Sequence, residues 1–248
     1  MKEERPLLFT IKLGLVLSII TVTVFVLSSA FSGYLEIRKS STPLPVFDET
    51  KQVRFVIDPG HGGEDAGAVA TDGTLEKDLN LQISSLLTTV LELNGCSVAL
   101  TRDDDRLLYD HFGDLTDYTG QKKVYDLKNR LKIAEERENS IYVGIHMNKF
   151  PSEKYSGLQI YYSTQNDLSH ALATDVRAAV VGALQPQNKR QTKPSLGSIY
   201  VLDNAKIPAI LIECGFLSNG EELELLKNHE YQKKLCITLF SALIKHAS

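Results

Sequence analysis

The feature that most limits the possible folds is a strand, helix and strand succession with short joins. Residues 55–57 form a short apolar run that predicts a buried strand, and residues 79–93 place apolar side chains at helical spacing. Asn94 and Gly95 end that helix, and residues 97–100 predict a second strand. Two strands joined through one helix run parallel in the same sheet, with a right-handed crossover. The chain is therefore expected to contain a parallel sheet.

The same alternation continues towards the carboxyl terminus. Further strands are predicted at residues 141–146, 158–162, 199–202 and 209–212, and further helices at 126–138, 170–184, 221–227 and 231–245. Buried strands that alternate with amphipathic helices predict an α/β fold. We expect a single domain over residues 53–248, with a mostly parallel twisted sheet flanked by helices.

The amino-terminal segment has a different character. Residues 13–31 carry no charge and are rich in Leu, Val and Ile, which is long enough for a helix that spans a bilayer. A buried core helix is disfavoured because the run is apolar all round and leads into a polar linker. We expect a short cytoplasmic tail at 1–12, an uncleaved signal anchor at 13–31 and a linker at 32–52. Cleavage near residues 28–30 would instead release a secreted form.

This arrangement places residues 53–248 outside the cytoplasm, on a single-pass membrane protein. The formal net charge is −4 and no basic cluster is present, so nucleic acid is not expected as a partner. Three cysteines do not make a disulfide framework. Cys96 and Cys236 lie in apolar surroundings that predict buried thiols, and Cys214 is expected to serve packing.

Polar side chains follow three of the predicted strands. His61 lies in a glycine-rich loop after the first strand, His146 ends the strand at 141–146, and Glu213 follows the strand at 209–212. Because the carboxyl ends of parallel strands share one edge of the sheet, these side chains can converge. Two histidines and one carboxylate with an open position form a catalytic zinc set. The third ligand could be Glu76 or Glu213.

Glu76 opens the helix after the His61 loop, which returns it to the same edge of the sheet. That position favours Glu76 as the ligand and leaves Glu213 as an unliganded carboxylate, suited to a general base. Taken alone, His146 could be a core histidine satisfied by the backbone, and Glu76 could be a solvated residue near a helix amino terminus. Glu213 is harder to dismiss, since a buried carboxylate needs a partner or a proton-transfer role.

Four motifs, in this order, resemble those of the zinc-dependent N-acetylmuramoyl-L-alanine amidases. They are DPGHGGEDAGA at 58–68, EKD at 76–78, IHMN at 145–148 and IECGFLSN at 212–219. The resemblance implies that His61, Glu76 and His146 bind one zinc ion per chain. It also implies that Glu213 is the catalytic glutamate, which shuttles a proton while zinc polarises the carbonyl. Residues 53–248 would then be a zinc amidase catalytic domain.

The reaction that this resemblance implies is hydrolysis of the amide between N-acetylmuramic acid and the L-alanine of the stem peptide. The substrate is then the peptidoglycan glycan strand with its stem peptide. Asn148, Arg102 and Arg130 are further candidates for substrate contact or for support of the site. A zinc peptidase or deacetylase acting on another wall amide would use the same ligands, and a non-catalytic wall-binding module is a third class.

A narrower resemblance rests on the long irregular segment at residues 107–125. Together with a short anchored amino terminus and no wall-binding repeats, it resembles the germination-type amidases of spore formers. This implies action on spore-cortex peptidoglycan, where a partner polysaccharide deacetylase then helps to form muramic-δ-lactam. The alternative is a vegetative cell-wall amidase for autolysis or cell separation. Whether an activating partner protein orders the zinc site is left open.

Overall fold

The computed structural model describes residue 28 and residues 54–137 and 139–247. The predicted cytoplasmic tail, signal anchor and linker therefore lie outside the described residues, apart from Ser28. No helix within the described part of the chain is long and apolar enough to cross a membrane. From residue 54 onward the described residues form a single α/β domain, as predicted.

The centre of this domain is a six-stranded sheet with the strand order β2-β1-β3-β6-β4-β5. The strands are β1 (Arg54–Pro59), β2 (Ser97–Leu100), β3 (Ser140–Asn148), β4 (Gln159–Tyr162), β5 (Lys193–Pro194) and β6 (Ala209–Phe216). Neighbouring strands run parallel, except that β4 is antiparallel to β6. The predicted mostly parallel sheet is thus confirmed, and β1, β3 and β6 bring their carboxyl ends to one edge.

Helices cover both faces of the sheet. They are α1 (Glu76–Leu93), α2 (Lys122–Glu135), α3 (Leu168–Ala183), α4 (Tyr200–Asn204), α5 (Gly220–Lys227) and α6 (His229–Leu243), followed by a 3₁₀ turn at Ile244–His246. One face packs against α1, α3 and α6 through a large apolar cluster that includes Leu87, Val176 and Leu239. The other face packs against α2 and α4 through a smaller cluster that includes Leu202 and Leu211.

The prediction of a strand at residues 199–202 is wrong, because residues 200–202 lie in the short helix α4 and Ile199 precedes it. Asp203 closes this turn: its carboxylate accepts hydrogen bonds from the backbone N–H groups of Gly197 (3.0 Å) and Ile199 (2.9 Å). Val201 and Leu202 are buried beneath it. A short apolar run fits a strand or a helix equally well, so the hydrogen bonds to Asp203 and the burial of Val201 and Leu202 decide between them.

Several other boundaries differ from the sequence-based prediction, and two of them lie near the site. The helix predicted to begin at residue 126 starts four residues earlier, at Lys122. Strand β6 continues past Glu213 to Phe216, so Glu213 lies within the strand rather than after it. The three cysteines are buried free thiols, as predicted, and burial raises the pKa of each.

Candidate metal centre

Two buried arginines hold the loop that follows β1. Arg102 is 1% exposed and donates hydrogen bonds to the carbonyls of Pro59 (2.9 Å) and Gly60 (3.0 Å). Arg130 is 2% exposed and donates to the carbonyls of Pro59 (2.8 Å) and His61 (2.7 Å). His61 has a φ of 63°, a backbone conformation that a residue with a side chain keeps only when its surroundings fix it. The arginines supply that constraint.

Arg102 and Arg130 were candidates for substrate contact or for support of the site, and their hydrogen bonds to the loop carbonyls make both of them supports. The charge of Arg130 is balanced by Asp58 (2.6 Å) and Asp126 (2.8 Å), which are themselves buried. Burial alone would raise the pKa of Asp58, but the adjacent Arg130 guanidinium holds that pKa below its usual value. The supporting network is therefore ionised and internally neutralised.

Glycine is required where this loop passes the histidines. A Cβ on Gly60 would lie 2.2 Å from the imidazole Nε2 of His146. Gly67 has a φ of 67°, and a Cβ there would lie 2.6 Å from Oε2 of Glu76 and 2.8 Å from Cδ2 of His61. The bare backbone at these two positions lets the loop close around the three side chains.

The side chains of His61, Glu76 and His146 meet at the carboxyl edge of the sheet. One ligand atom from each lies within 4.8 Å of the others. Oε1 of Glu76 is 2.9 Å from Nδ1 of His146 and 3.3 Å from Nε2 of His61. Two imidazole nitrogens and a carboxylate oxygen that face one small volume could hold a metal ion, and this donor set suits zinc.

Glu76 is fixed and charged within this cluster. It is 4% exposed, and its Oε2 accepts a hydrogen bond from the backbone N–H of Ala68 at 2.7 Å. Its Oε1 accepts from the N–H of Met147 (3.1 Å) and from Nδ2 of Asn80 (3.3 Å). Burial alone would raise the pKa of Glu76, but hydrogen bonds with the two histidines bring it far below its usual value. Glu76 is therefore ionised near neutral pH and can offer a negatively charged oxygen ligand to a metal ion.

Asp65 orients His61, a role that the sequence analysis missed. Its Oδ2 lies 2.9 Å from Nδ1 of His61 and also accepts a hydrogen bond from Nζ of Lys123. A proton on Nδ1 that is donated to Asp65 leaves Nε2 free to face Glu76, which is the usual arrangement behind metal-binding histidines. Burial would raise the pKa of Asp65, but Lys123 and His61 lower it to about 2.

Glu213 lies beside the cluster with very different surroundings. It is the register partner of His146 across the β3–β6 pair, so both side chains project from the same face of the sheet. Its Oε2 is buried and makes no hydrogen bond with any described residue. Burial raises the pKa of Glu213 to about 7, against the attraction of His146. A carboxyl group with this pKa can accept and return a proton at neutral pH.

Asn148 completes the set of residues considered from sequence. It ends β3, two residues after His146, and is half-buried. Within the described part of the chain, its side chain makes no hydrogen bond, whereas its carbonyl accepts one from the N–H of Leu217 at 2.8 Å. Of the three candidates for support or substrate contact, Asn148 is the one whose side chain is left open to a ligand.

Comparisons with known proteins identify the family of this chain. A family model described as N-acetylmuramoyl-L-alanine amidase matches residues 55–245. The germination-specific N-acetylmuramoyl-L-alanine amidase of Bacillus subtilis (strain 168) is 32% identical over 190 residues, which cover 77% of this chain and 78% of that protein. The structure of the CwlD amidase from Clostridioides difficile, in complex with the GerS lipoprotein, is similar with a TM-score of 0.72 and 37% identity. That match covers 79% of this chain and 98% of the other.

A second solved structure is similar over the same part of the chain. The N-acetylmuramoyl-L-alanine amidase AmiC2 of Nostoc punctiforme is 32% identical, with a TM-score of 0.64. The match covers 78% of this chain and 96% of that one. In these comparisons the similarity extends over nearly the whole described domain.

Proposed function

The chain belongs to the N-acetylmuramoyl-L-alanine amidase family, and we propose that it is a zinc enzyme whose metal is bound by His61, Glu76 and His146. Like its family, it hydrolyses the amide between N-acetylmuramic acid and L-alanine in peptidoglycan. The observation that carries the zinc proposal is the meeting of three ligand atoms within 4.8 Å, from a loop, a helix and a strand. Their chemistry is that of catalytic zinc sites, which combine histidines with a glutamate.

In the proposed reaction, zinc would polarise the scissile carbonyl and make water nucleophilic near neutral pH. Glu213 accepts the proton of the attacking water, because its Oε2 has no hydrogen-bond partner among the described residues and Glu213 is the register partner of the ligand His146. Glu213 then returns that proton to the nitrogen of L-alanine, so that the peptide departs as a neutral amine. Arg102 and Arg130 keep the His61 loop in place through its backbone carbonyls.

The test of this proposal measures metal and products together. Purified full-length protein, supplied with zinc and with any activating partner that it requires, should contain about one zinc ion per chain, as a three-ligand catalytic site requires. Mass spectrometry of digested muropeptides should find peptides with a free L-alanine amine and glycan with intact lactyl groups. Cleavage within the stem would indicate a zinc peptidase, and loss of acetyl groups would indicate a deacetylase. Full activity in protein without zinc would exclude the metal site.

We also propose that the substrate is spore-cortex peptidoglycan. The support is the similarity to a germination-specific amidase of Bacillus subtilis. Removal of stem peptide would leave a bare muramic acid, on which a partner polysaccharide deacetylase acts before muramic-δ-lactam forms. Cortex from a strain that lacks the gene should then contain no muramic-δ-lactam. A normal cortex with a defect in growing cells would instead support a vegetative amidase for autolysis or cell separation.

An activating partner protein is part of the proposal. The support is that the CwlD amidase structure is a complex with the GerS lipoprotein. If this chain also depends on a partner, protein purified alone should bind zinc incompletely and regain both zinc and activity when a lipoprotein of the same cell is added. Full zinc occupancy and full activity of the purified chain alone would argue against a partner.

For the location of the protein we propose a single membrane anchor with an extracytoplasmic catalytic domain. The support is the uncharged apolar run at residues 13–31. Cell fractionation should find the protein in the membrane fraction with an intact amino terminus. A shortened protein in the medium would show that the segment is a cleaved signal peptide.

A further inference from the structure

Three aromatic rings and one guanidinium lie close together near the carboxyl ends of β3 and β6. They belong to Phe150, Tyr155, Arg190 and Phe216, and we call this group the Arg190 ledge. The rings of Phe150 and Tyr155 are 4.7 Å apart, and the rings of Tyr155 and Phe216 are stacked at 6.3 Å. The guanidinium carbon of Arg190 lies 4.5 Å from the centre of the Phe216 ring and 5.7 Å from that of Tyr155. Phe150 is 48% exposed.

The ledge borders the candidate active site from two directions. Phe216 follows Glu213 by three positions in β6, which is about 10 Å along a strand. On the other side, Gln159 of β4 is the register partner of Glu213. The Nε2 of Gln159 donates a hydrogen bond of 2.6 Å to the carbonyl of Gln191, the residue next to Arg190. The ledge is therefore continuous with the edge of the sheet that carries the proton acceptor.

Arg190 has hydrogen-bond donors that the protein does not use. Its Nε donates to the carbonyl of Ser156 at 2.9 Å, and its terminal nitrogens make no hydrogen bond with any residue that the structure describes. The nearby carboxylate of Glu222 is already occupied, since it accepts from the N–H groups of Gly157 (2.7 Å) and Phe216 (2.8 Å). A planar cation that lies over two aromatic rings and has free donors is well suited to bind a carboxylate in a bidentate manner.

The substrate offers such a carboxylate on one side of the scissile bond only. The muramic acid carboxyl is consumed in the amide, whereas the stem peptide carries the free α-carboxylate of its second residue, a γ-linked glutamate. That group lies about two residue lengths, roughly 7 Å, from the scissile amide. We propose that the Arg190 ledge is the stem-peptide subsite and that Arg190 determines specificity by binding this α-carboxylate. The inference rests on the proposed function and adds that the stem peptide of the substrate lies against the Arg190 ledge.

The experiment compares two N-acetylmuramoyl tripeptides, L-alanyl-γ-D-glutamyl-L-lysine and the same compound with the glutamate α-carboxyl amidated. Zinc-loaded wild-type protein should cleave the free acid with a kcat/KM about tenfold higher, the size expected for one charge-assisted hydrogen bond. Arg190→Gln should lower the rate on the free acid to that on the amide, with little change on the amide. Arg190→Lys should keep part of the preference, because it keeps the charge.

The matched control is Lys154→Gln, which removes a neighbouring cation 5.3 Å from the same Tyr155 ring and should leave the preference intact. A merely structural role for Arg190 would slow both substrates by the same factor and would overturn the proposal. Equal rates on both substrates in wild-type protein would overturn it without any variant. Cleavage of neither tripeptide at the muramoyl–alanine bond would instead count against the proposed function itself.

Discussion

Two carboxylates at the same edge of the sheet, those of buried Glu76 and half-buried Glu213, have opposite surroundings. Glu76 accepts hydrogen bonds from two backbone N–H groups and an amide, faces two histidines, and has a pKa far below its usual value. Glu213 has an oxygen without a hydrogen-bond partner among the described residues, and its pKa is raised to about 7. The sequence offered both as the third ligand and favoured Glu76 from its position at the start of a helix. Their surroundings favour Glu76 as the ligand and Glu213 as the proton acceptor.

This difference gives two glutamates at the same edge of the sheet different pKa values and different chemical roles. Donors that surround a carboxylate favour its charged form and fix its position, which suits a metal ligand. Burial without donors favours the protonated form, which suits a group that must take up and release a proton. The predictions below test this division, beginning with the largest expected effect.

Glu76→Gln should abolish both zinc binding and hydrolysis. The amide removes the negative charge that faces the two histidines, so metal affinity should fall by more than the roughly 10–100-fold that outer-shell changes cost. Zinc content after dialysis and muropeptide hydrolysis measure the two losses. Glu222→Gln is the matched control, because it neutralises a part-buried carboxylate outside the cluster and should leave zinc content unchanged.

Glu213→Gln should keep zinc and lose hydrolysis. The amide has nearly the same shape but cannot accept the proton of water, so kcat should fall on the order of 10²–10⁴-fold. Zinc content and turnover are measured on the same preparation. If this variant lost zinc while Glu76→Gln retained it, the two assignments would have to be exchanged.

Asp65→Asn should weaken zinc binding by about 10–100-fold, as expected for the group behind a ligating histidine. The amide can donate as well as accept a hydrogen bond at Nδ1, so it no longer selects the form of His61 that presents Nε2. Competition with a chelating dye measures the affinity. Glu64→Gln is the control, since Glu64 also pairs with a lysine, Lys122 at 2.9 Å, and should change zinc affinity little.

Much of the site was predictable from sequence because strand ends in a parallel sheet share one edge. His61, His146 and Glu213 could be placed there from the apolar runs before them, and Glu76 from its position at the start of a helix. These inferences tolerate errors of a few residues, so the extension of β6 from residue 212 to Phe216 did not disturb them.

Contacts between distant segments were not predictable. The hydrogen bond between Lys123 and Asp65 joins residues 58 positions apart, and nothing in the local pattern of either segment indicates it. A nearer contact was also missed: residues 199–202 were predicted as a strand, whereas hydrogen bonds from the N–H groups of Gly197 and Ile199 to Asp203 stabilise the helix at Tyr200–Asn204. Arg190 lies in a segment whose sequence is typical of a polar loop. Its position over the Phe216 ring depends on how two separate segments fold together, which the local pattern of neither segment indicates.

The smallest expected effect is on the free energy of unfolding. Substitution of Glu213 and of Glu76 by Gln should change it in opposite directions at pH 8. The pKa of Glu213 rises from 4.5 to about 7 on folding, so between these values the folded state holds a proton that the unfolded state has lost. Its contribution to the free energy of unfolding therefore falls as pH rises through this window and stays low above pH 7. Metal-free Glu213→Gln should then exceed wild type by about 1–3 kcal/mol at pH 8 and match it near pH 4.5.

Glu76→Gln should behave in the opposite way, because the folded state lowers the pKa of Glu76 below its ordinary value of 4.5. The stabilisation that Glu76 provides is present above that value and is lost only in acid, so the variant should be less stable than wild type at pH 8. Urea unfolding with a chelator present measures both variants against wild type. Shifts of the same sign at pH 8 would show that folding does not move the two pKa values in opposite directions, and the division between ligand and base would lose its physical support.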